Sequence, residues 1–118
     1  VVYGPYRARC VAIHDGDTLT LDIDLGFGVI VSGLSITGGD RLTCRLFGIN
    51  APELATQAGK DALAFILTLI KPGDMCTVVS HGFDKYGGRY DGTVFLADGT
   101  DLAQAMLASG HAVPMAVK

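Results

Sequence analysis

From Leu19 to Leu25 the chain reads Leu-Thr-Leu-Asp-Ile-Asp-Leu, with an apolar side chain at every second position. A period of two puts one face against a core and the other towards solvent, the signature of a β-strand. Just upstream Ala8, Cys10 and Ala12 alternate in the same way, and His14 to Gly16 supplies a tight turn between the two runs. The stretch Tyr6 to Leu25 is therefore expected to fold as strand, turn, strand, and the rest of the chain has to build on that hairpin.

Downstream the pattern continues in short pieces. Gly26 to Ile36 is apolar and glycine-spaced, suiting a twisted continuation or an added hairpin arm. Gly38, Gly39 and Asp40 signal a turn, and Arg41 to Ile49 reads as a strand with Leu42, Cys44 and Leu46 on one face. Pro52 has no donor for a ladder and ends that strand. Ala58 to Ile70 carries Ala62, Phe65, Ile66 and Leu69 at helical spacing, followed by Lys71, Pro72 and Gly73 as a last-turn cation, a stop and a turn residue. Met75 to Ser80 and Tyr90 to Leu96 are strand-like and flank the loop Gly82 to Gly88. Asp101 to Ser109 reads as a short helix, with Asp101 and Gln104 spaced like a capping box and Gly110 as its C-terminal glycine. Five strands, a helix between the third and fourth, and a second helix after the fifth make an α+β chain, mainly β. This order suits a five-stranded OB-fold Greek-key barrel.

Length and composition narrow the possibilities further. The 118 residues suffice for one domain over residues 1–118, and 49% apolar residues argue against disorder. No apolar run reaches the ~20 residues of a membrane span, and Val1 to Arg9 lacks the build of a signal peptide. A soluble protein without membrane association is expected, secreted or cytoplasmic, with the compartment left open. Cys10, Cys44 and Cys76 sit in apolar stretches without C-x-x-C spacing, which favours buried reduced thiols over zinc or disulfides. A net charge of −3 disfavours a long grip on nucleic acid, whose affinity comes from neutralised phosphates. It suits a local site in which acids hold a cation and a few arginines hold phosphate.

Three segments carry candidate chemistry. In Asp15-Gly16-Asp17-Thr18, parity puts Asp17 in phase with Leu19 and Leu21, so its carboxylate starts on the barrel-facing side, where it needs a cation or a donor. Taken alone, an ordinary Asp-Gly turn explains this tetrad. In Arg45-Leu-Phe-Gly-Ile-Asn-Ala-Pro-Glu53, Arg45 lies opposite Cys44 and Leu46, and a proline-locked corner presents an amide and an acid. A solvated arginine and a glutamate before a helix would also read this way. Asp84-Lys85-Tyr86-Gly87-Gly88-Arg89 is a loop ending in a second arginine, equally readable as a plain hairpin loop. His14, His81 and His111 read as turn and surface residues, and the glycines at 26, 28, 38 and 39 form no phosphate-binding loop of the nucleotide-cofactor kind.

In this order and spacing, the DGDT turn, the RLxGIxxPE corner and the DKYG loop with its arginine resemble the staphylococcal nuclease (thermonuclease) family, from about Val11 to Ala112. The resemblance implies a calcium-dependent phosphodiesterase acting on single-stranded DNA or RNA and leaving 3′-phosphate ends. It implies that Asp17, Asn50 and the carbonyl of Ala51 hold Ca²⁺, with Asp15 behind them. Arg45 and Arg89 then clamp the phosphate, Glu53 activates water, and Lys85 and Tyr86 touch substrate. Oxygen donors suit hard Ca²⁺, guanidinium forks suit phosphate, and a carboxylate ionised at neutral pH can take a proton from water.

The chain also departs from the pattern. Asn50 stands where the family has an aspartate, Gly88 lengthens the loop before Arg89, and Ala116 and Lys118 replace base-stacking tyrosines. The segment Phe27 to Thr37 is longer, and the sequence stops at Lys118, so the family's third, C-terminal helix is not expected. The rival expectation is a catalytically silent OB module that binds nucleic acid or protein. The oligomeric state is open, with a monomer assumed.

Overall fold

The computed structural model describes residues 2–33, 42–83 and 89–115. Its strands are β1 (Tyr3–Asp15), β2 (Thr18–Asp24), β3 (Ile30–Val31), β4 (Thr43–Leu46), β5 (Ile49–Asn50), β6 (Met75–Phe83), β7 (Arg89–Leu96) and β8 (Val113–Pro114). The helices are α1 (Gln57–Leu69) and α2 (Leu102–Ala108).

The long β1 makes closure possible. It pairs antiparallel with β2 (Cys10 opposite Leu21) and with β6 (Ala8 opposite Cys76), and its register shifts at Cys10/Ala12 and Ile13/Asp15. Such bulges bend a strand and increase its twist. The order β1-β6-β7-β4-β2, closed by the β1–β2 pairing, is a five-stranded barrel in which only β4 and β7 run parallel. Together with the two helices this is the α+β architecture of an OB-fold, as expected from the strand order. The hairpin-arm reading holds for the described part of the insertion, since Ile30 and Val31 pair back onto Asp24 and Ile23. The turn expected at Gly38 to Asp40 lies outside the described residues.

The alternating positions fill the barrel. Leu19, Leu21, Cys44, Leu46, Val78 and Val94 are buried, and Ala62 and Ile66 of α1 and Leu102 and Met106 of α2 close over them. Thr56 caps α1 by accepting from the Gly59 N–H (3.0 Å), and Asp101 caps α2 by accepting from Gln104 (3.2 Å). The C-terminus of α2 has both bonds of a Schellman motif, His111 N–H to the Met106 carbonyl and Gly110 N–H to that of Leu107, with Gly110 at φ +81°.

Some boundaries differ from the sequence reading. Leu25 lies one residue past the end of β2 and is exposed. The strand expected over Arg41 to Ile49 covers only Thr43 to Leu46, because Gly48 turns the chain at φ +84° and hands Ile49 and Asn50 to a separate pairing with β8. The last turn of α1 carries no cation, since Lys71 falls beyond the C-cap Ile70.

Candidate active site

The β1–β2 turn builds itself from its own side chains. Asp15 Oδ1 accepts the Asp17 N–H at 3.0 Å, tightening the turn so that Asp17 points inward as its parity requires, 9% exposed. Two donors meet the buried carboxylate: the Ala51 N–H reaches Oδ2 at 2.9 Å and the Thr18 hydroxyl reaches Oδ1 at 3.0 Å. Burial first, and then a hydrogen bond shared with the Asp17 carboxyl, hold Asp15 above the usual carboxylate range. Gly16 makes the approach possible, because a Cβ there would stand 2.9 Å from both Ala51 Cβ and Ala62 Cβ. Turn, proline corner and α1 are thus packed together at a point where only glycine fits.

Arg45 projects from the outer face of β4, between Thr18 of β2 and Asp91 of β7. Its guanidinium donates to Asn50 Oδ1, and a second nitrogen lies 3.8 Å from Met115 Sδ. Asn50 is itself fixed by pairing with Val113 of β8. Arg89 begins β7 opposite Thr43, and Asp91 follows opposite Arg45. By strand alternation Arg45, Arg89 and Asp91 therefore share one outer face of the sheet. Glu53 is exposed, three residues beyond Asn50, and its carbonyl accepts from both the N–H and the hydroxyl of Thr56.

Asp15, Asp17, Arg45, Asn50 and Ala51 thus meet where the β1–β2 turn joins the corner after β5, with Glu53 exposed further along that corner and Arg89 at the start of the adjoining strand. Lys85 and Tyr86 lie outside the described residues. His14 bonds Thr20 Oγ1 (2.7 Å), His111 stacks on Phe65, and His81 stacks on Phe47. The sequence reading passed over Asp91, which its position two residues after Arg89 places on the arginine face. It also passed over Met115, for which no local signal exists.

Among the described residues no group of three or more His, Cys, Asp or Glu side chains is placed to hold a metal. The donors that are present, the Asp15 and Asp17 carboxylates and the Ala51 carbonyl beside the Asn50 amide, are all hard oxygens and fit Ca²⁺ in kind. The fit is weaker in charge, because Asn50 is neutral and its oxygen is already engaged by Arg45. No helix among the described residues is long and apolar enough to cross a membrane.

The family model for the staphylococcal nuclease homologue matches residues 43–118, well over half of the chain. The match takes in Arg45, Asn50, Ala51, Glu53 and Arg89 but begins after Asp15 and Asp17, which join them through geometry alone. Comparison with curated proteins gives no match.

Proposed function

Because the chain belongs to the family of staphylococcal nuclease homologues, we propose that it is a nuclease that hydrolyses phosphodiester bonds of single-stranded DNA or RNA with the help of Ca²⁺. The supporting observation is the hydrogen bond from the Ala51 N–H to Asp17 Oδ2. It ties the acidic turn to the corner that carries Asn50 and Glu53, two segments 34 residues apart in the chain.

Asp17, Asn50 and the Ala51 carbonyl would hold the ion, with Asp15 fixing the turn behind them. When bound, Ca²⁺ neutralises charge on the phosphate and so lowers the barrier to anionic attack. Arg45 and Arg89 approach the phosphate from the sheet face, offering charge-assisted hydrogen bonds to oxygens that gain charge in the transition state. Arg45 gives one guanidinium nitrogen to Asn50 and keeps further N–H groups for a phosphate. Glu53 takes the proton of the attacking water as its oxygen bonds to phosphorus, and the bond to the 5′ oxygen breaks with that oxygen taking a proton from solvent, leaving a 3′-phosphate and a 5′-hydroxyl. Lys85 and Tyr86 contact substrate phosphate.

Incubation with single-stranded DNA and millimolar Ca²⁺ tests this reading. Cleavage should vanish with a chelator and fall by about 10²-fold or more in Glu53→Ala. A second reading, a silent OB module that binds nucleic acid or protein, draws support from the bond between Arg45 and Asn50, since each satisfies the other without phosphate or ion. Binding without cleavage from neutral to alkaline pH would establish that alternative.

A further inference from the structure

Phe47 stands out beside the proposed phosphate site. Its neighbours Leu46 and Ile49 are fully buried, yet Phe47 is 50% exposed. Its backbone is not loose, because its N–H donates to the Gly92 carbonyl at 2.9 Å and extends the β4–β7 ladder by one residue. The ring reaches across β7 to lie on the His81 imidazole, with centroids 4.0 Å apart and planes 9° from parallel. That imidazole is held in turn by a 2.8 Å hydrogen bond between Nε2 and Thr93 Oγ1. One ring face is therefore covered and braced, while half of the residue stays open to solvent.

We propose that the Phe47–His81 stack is a platform on which one unpaired nucleobase of the substrate strand lies. The inference rests on the nuclease reading and adds a base subsite to it. Phe47 follows Arg45 by two residues on the same side of the strand, so the ring starts about 6.6 Å along the sheet from the arginine. A phosphate held by Arg45 thus places a base of the same or the adjoining nucleotide within reach of the ring. On β7, Asp91 stands opposite Arg45 and Thr93 holds the lower ring of the stack. Base-on-aromatic stacking needs no particular sequence, because every base has a π-face, but it does need a base free of its own neighbours. The platform therefore selects single strands and tolerates any sequence.

The test measures binding of a short fluorescent single-stranded oligonucleotide in the Glu53→Gln background, with millimolar Ca²⁺ in the cold so that the strand survives. Phe47→Ala should weaken binding by about 5- to 150-fold. Phe47→Leu, which keeps apolar bulk without a π-face, should also weaken it, whereas Phe47→Trp should preserve it. An oligonucleotide with an abasic site scanned along its length should lose affinity at one position, and the loss should disappear in the Phe47→Ala protein. Equal affinity of the Phe47→Ala and Phe47→Leu proteins and of the protein that keeps Phe47, or an abasic scan that couples to none of them, overturns the platform while leaving the nuclease reading intact. Absence of any single-strand binding or of calcium-dependent cleavage in the unmodified chain overturns the reading on which the platform rests, and the platform with it.

Discussion

Gly59→Ala is the substitution that most directly links helix placement to the proposed base. Gly59 is the third residue of α1 and buried, and an alanine Cβ there would lie 1.9 Å from the Glu53 carbonyl oxygen and 2.5 Å from its carbonyl carbon. Both are backbone atoms, and ordinary contact starts near 3.4 Å, so helix and corner must separate by about 1.5 Å. The Glu53 carbonyl is pinned by two bonds from Thr56, at 2.6 and 3.0 Å, and one of them has to stretch or break. Overpacking of this kind costs about 1–3 kcal/mol, and a lost hydrogen bond adds about 1 kcal/mol. Alanine's better helix propensity returns about 1 kcal/mol. The net is a loss of about 1–3 kcal/mol, or a melting temperature lower by about 4–12 °C in a domain of this size. Displacing Glu53 by about 1 Å should also cost about 10²-fold in cleavage. Thermal denaturation and the calcium-dependent cleavage assay measure the two effects separately. A Gly59→Ala protein that melts at or above the parent temperature would refute the close approach of helix and corner, and one that also cleaved normally would remove the argument that α1 sets Glu53.

Further outcomes are expected. Burial pushes Cys10 up to about 11 and Cys44 and Cys76 up to about 12. An unfolded thiol ionises near pH ~8.5, so above that pH the native state holds more protons than the unfolded one. Stability should then fall as pH rises from about 9 towards 11, less steeply in a Cys44→Ala/Cys76→Ala protein, as urea melts at several pH values will show. At pH 8 Ellman's reagent should find no fast-reacting thiol until the protein unfolds. Gly92→Ala places a Cβ 2.8 Å from Cys44 Sγ and should destabilise by about 1–3 kcal/mol; adding Cys44→Ala should recover part of it in a double-mutant cycle of urea melts. Asn50→Asp should tighten Ca²⁺ in a calorimetric titration by adding an anionic ligand, and an unchanged affinity would exclude residue 50 from the coordination shell.

The barrel was legible because its signals are local. Alternation in Leu19, Leu21 and Ile23 and in Cys44 and Leu46 is imposed by the pleat of each strand alone, and the caps at Asp101 and Gly110 lie within one helical turn of what they cap. The β5–β8 pairing was not legible. Two residues on each side carry no period, and Asn50 meets Val113 only because α2 returns the chain to the corner. Gly16 and Gly59 were equally opaque, since their value lies in what a side chain would strike: Ala51 and Ala62 in one case and the Glu53 carbonyl in the other.

For the site, parity did most of the work: it turned Asp17 inward and Arg45 outward, and both orientations are present in the fold. What parity cannot reveal is which polar groups then choose one another. Asn50 reads from the sequence as an uncharged substitute for an acidic ligand, but in the fold its oxygen accepts from Arg45. An aspartate at that position would form a charge-assisted pair with the same guanidinium and still have lone pairs for a cation. The amide has less charge to divide between the two. Phosphate binding by Arg45 and ion binding by Asn50 are therefore coupled in this chain, because both draw on side chains joined by one hydrogen bond. Substrate should accordingly raise Ca²⁺ affinity, and Ca²⁺ should raise substrate affinity by the same factor. Calcium titrations of the Glu53→Gln protein with and without a short oligonucleotide measure that factor. In Asn50→Asp it should shrink, because the carboxylate can hold the ion and the guanidinium together, and a factor of one in the protein that keeps Asn50 would show that the bond between Arg45 and Asn50 takes no part in ligand binding.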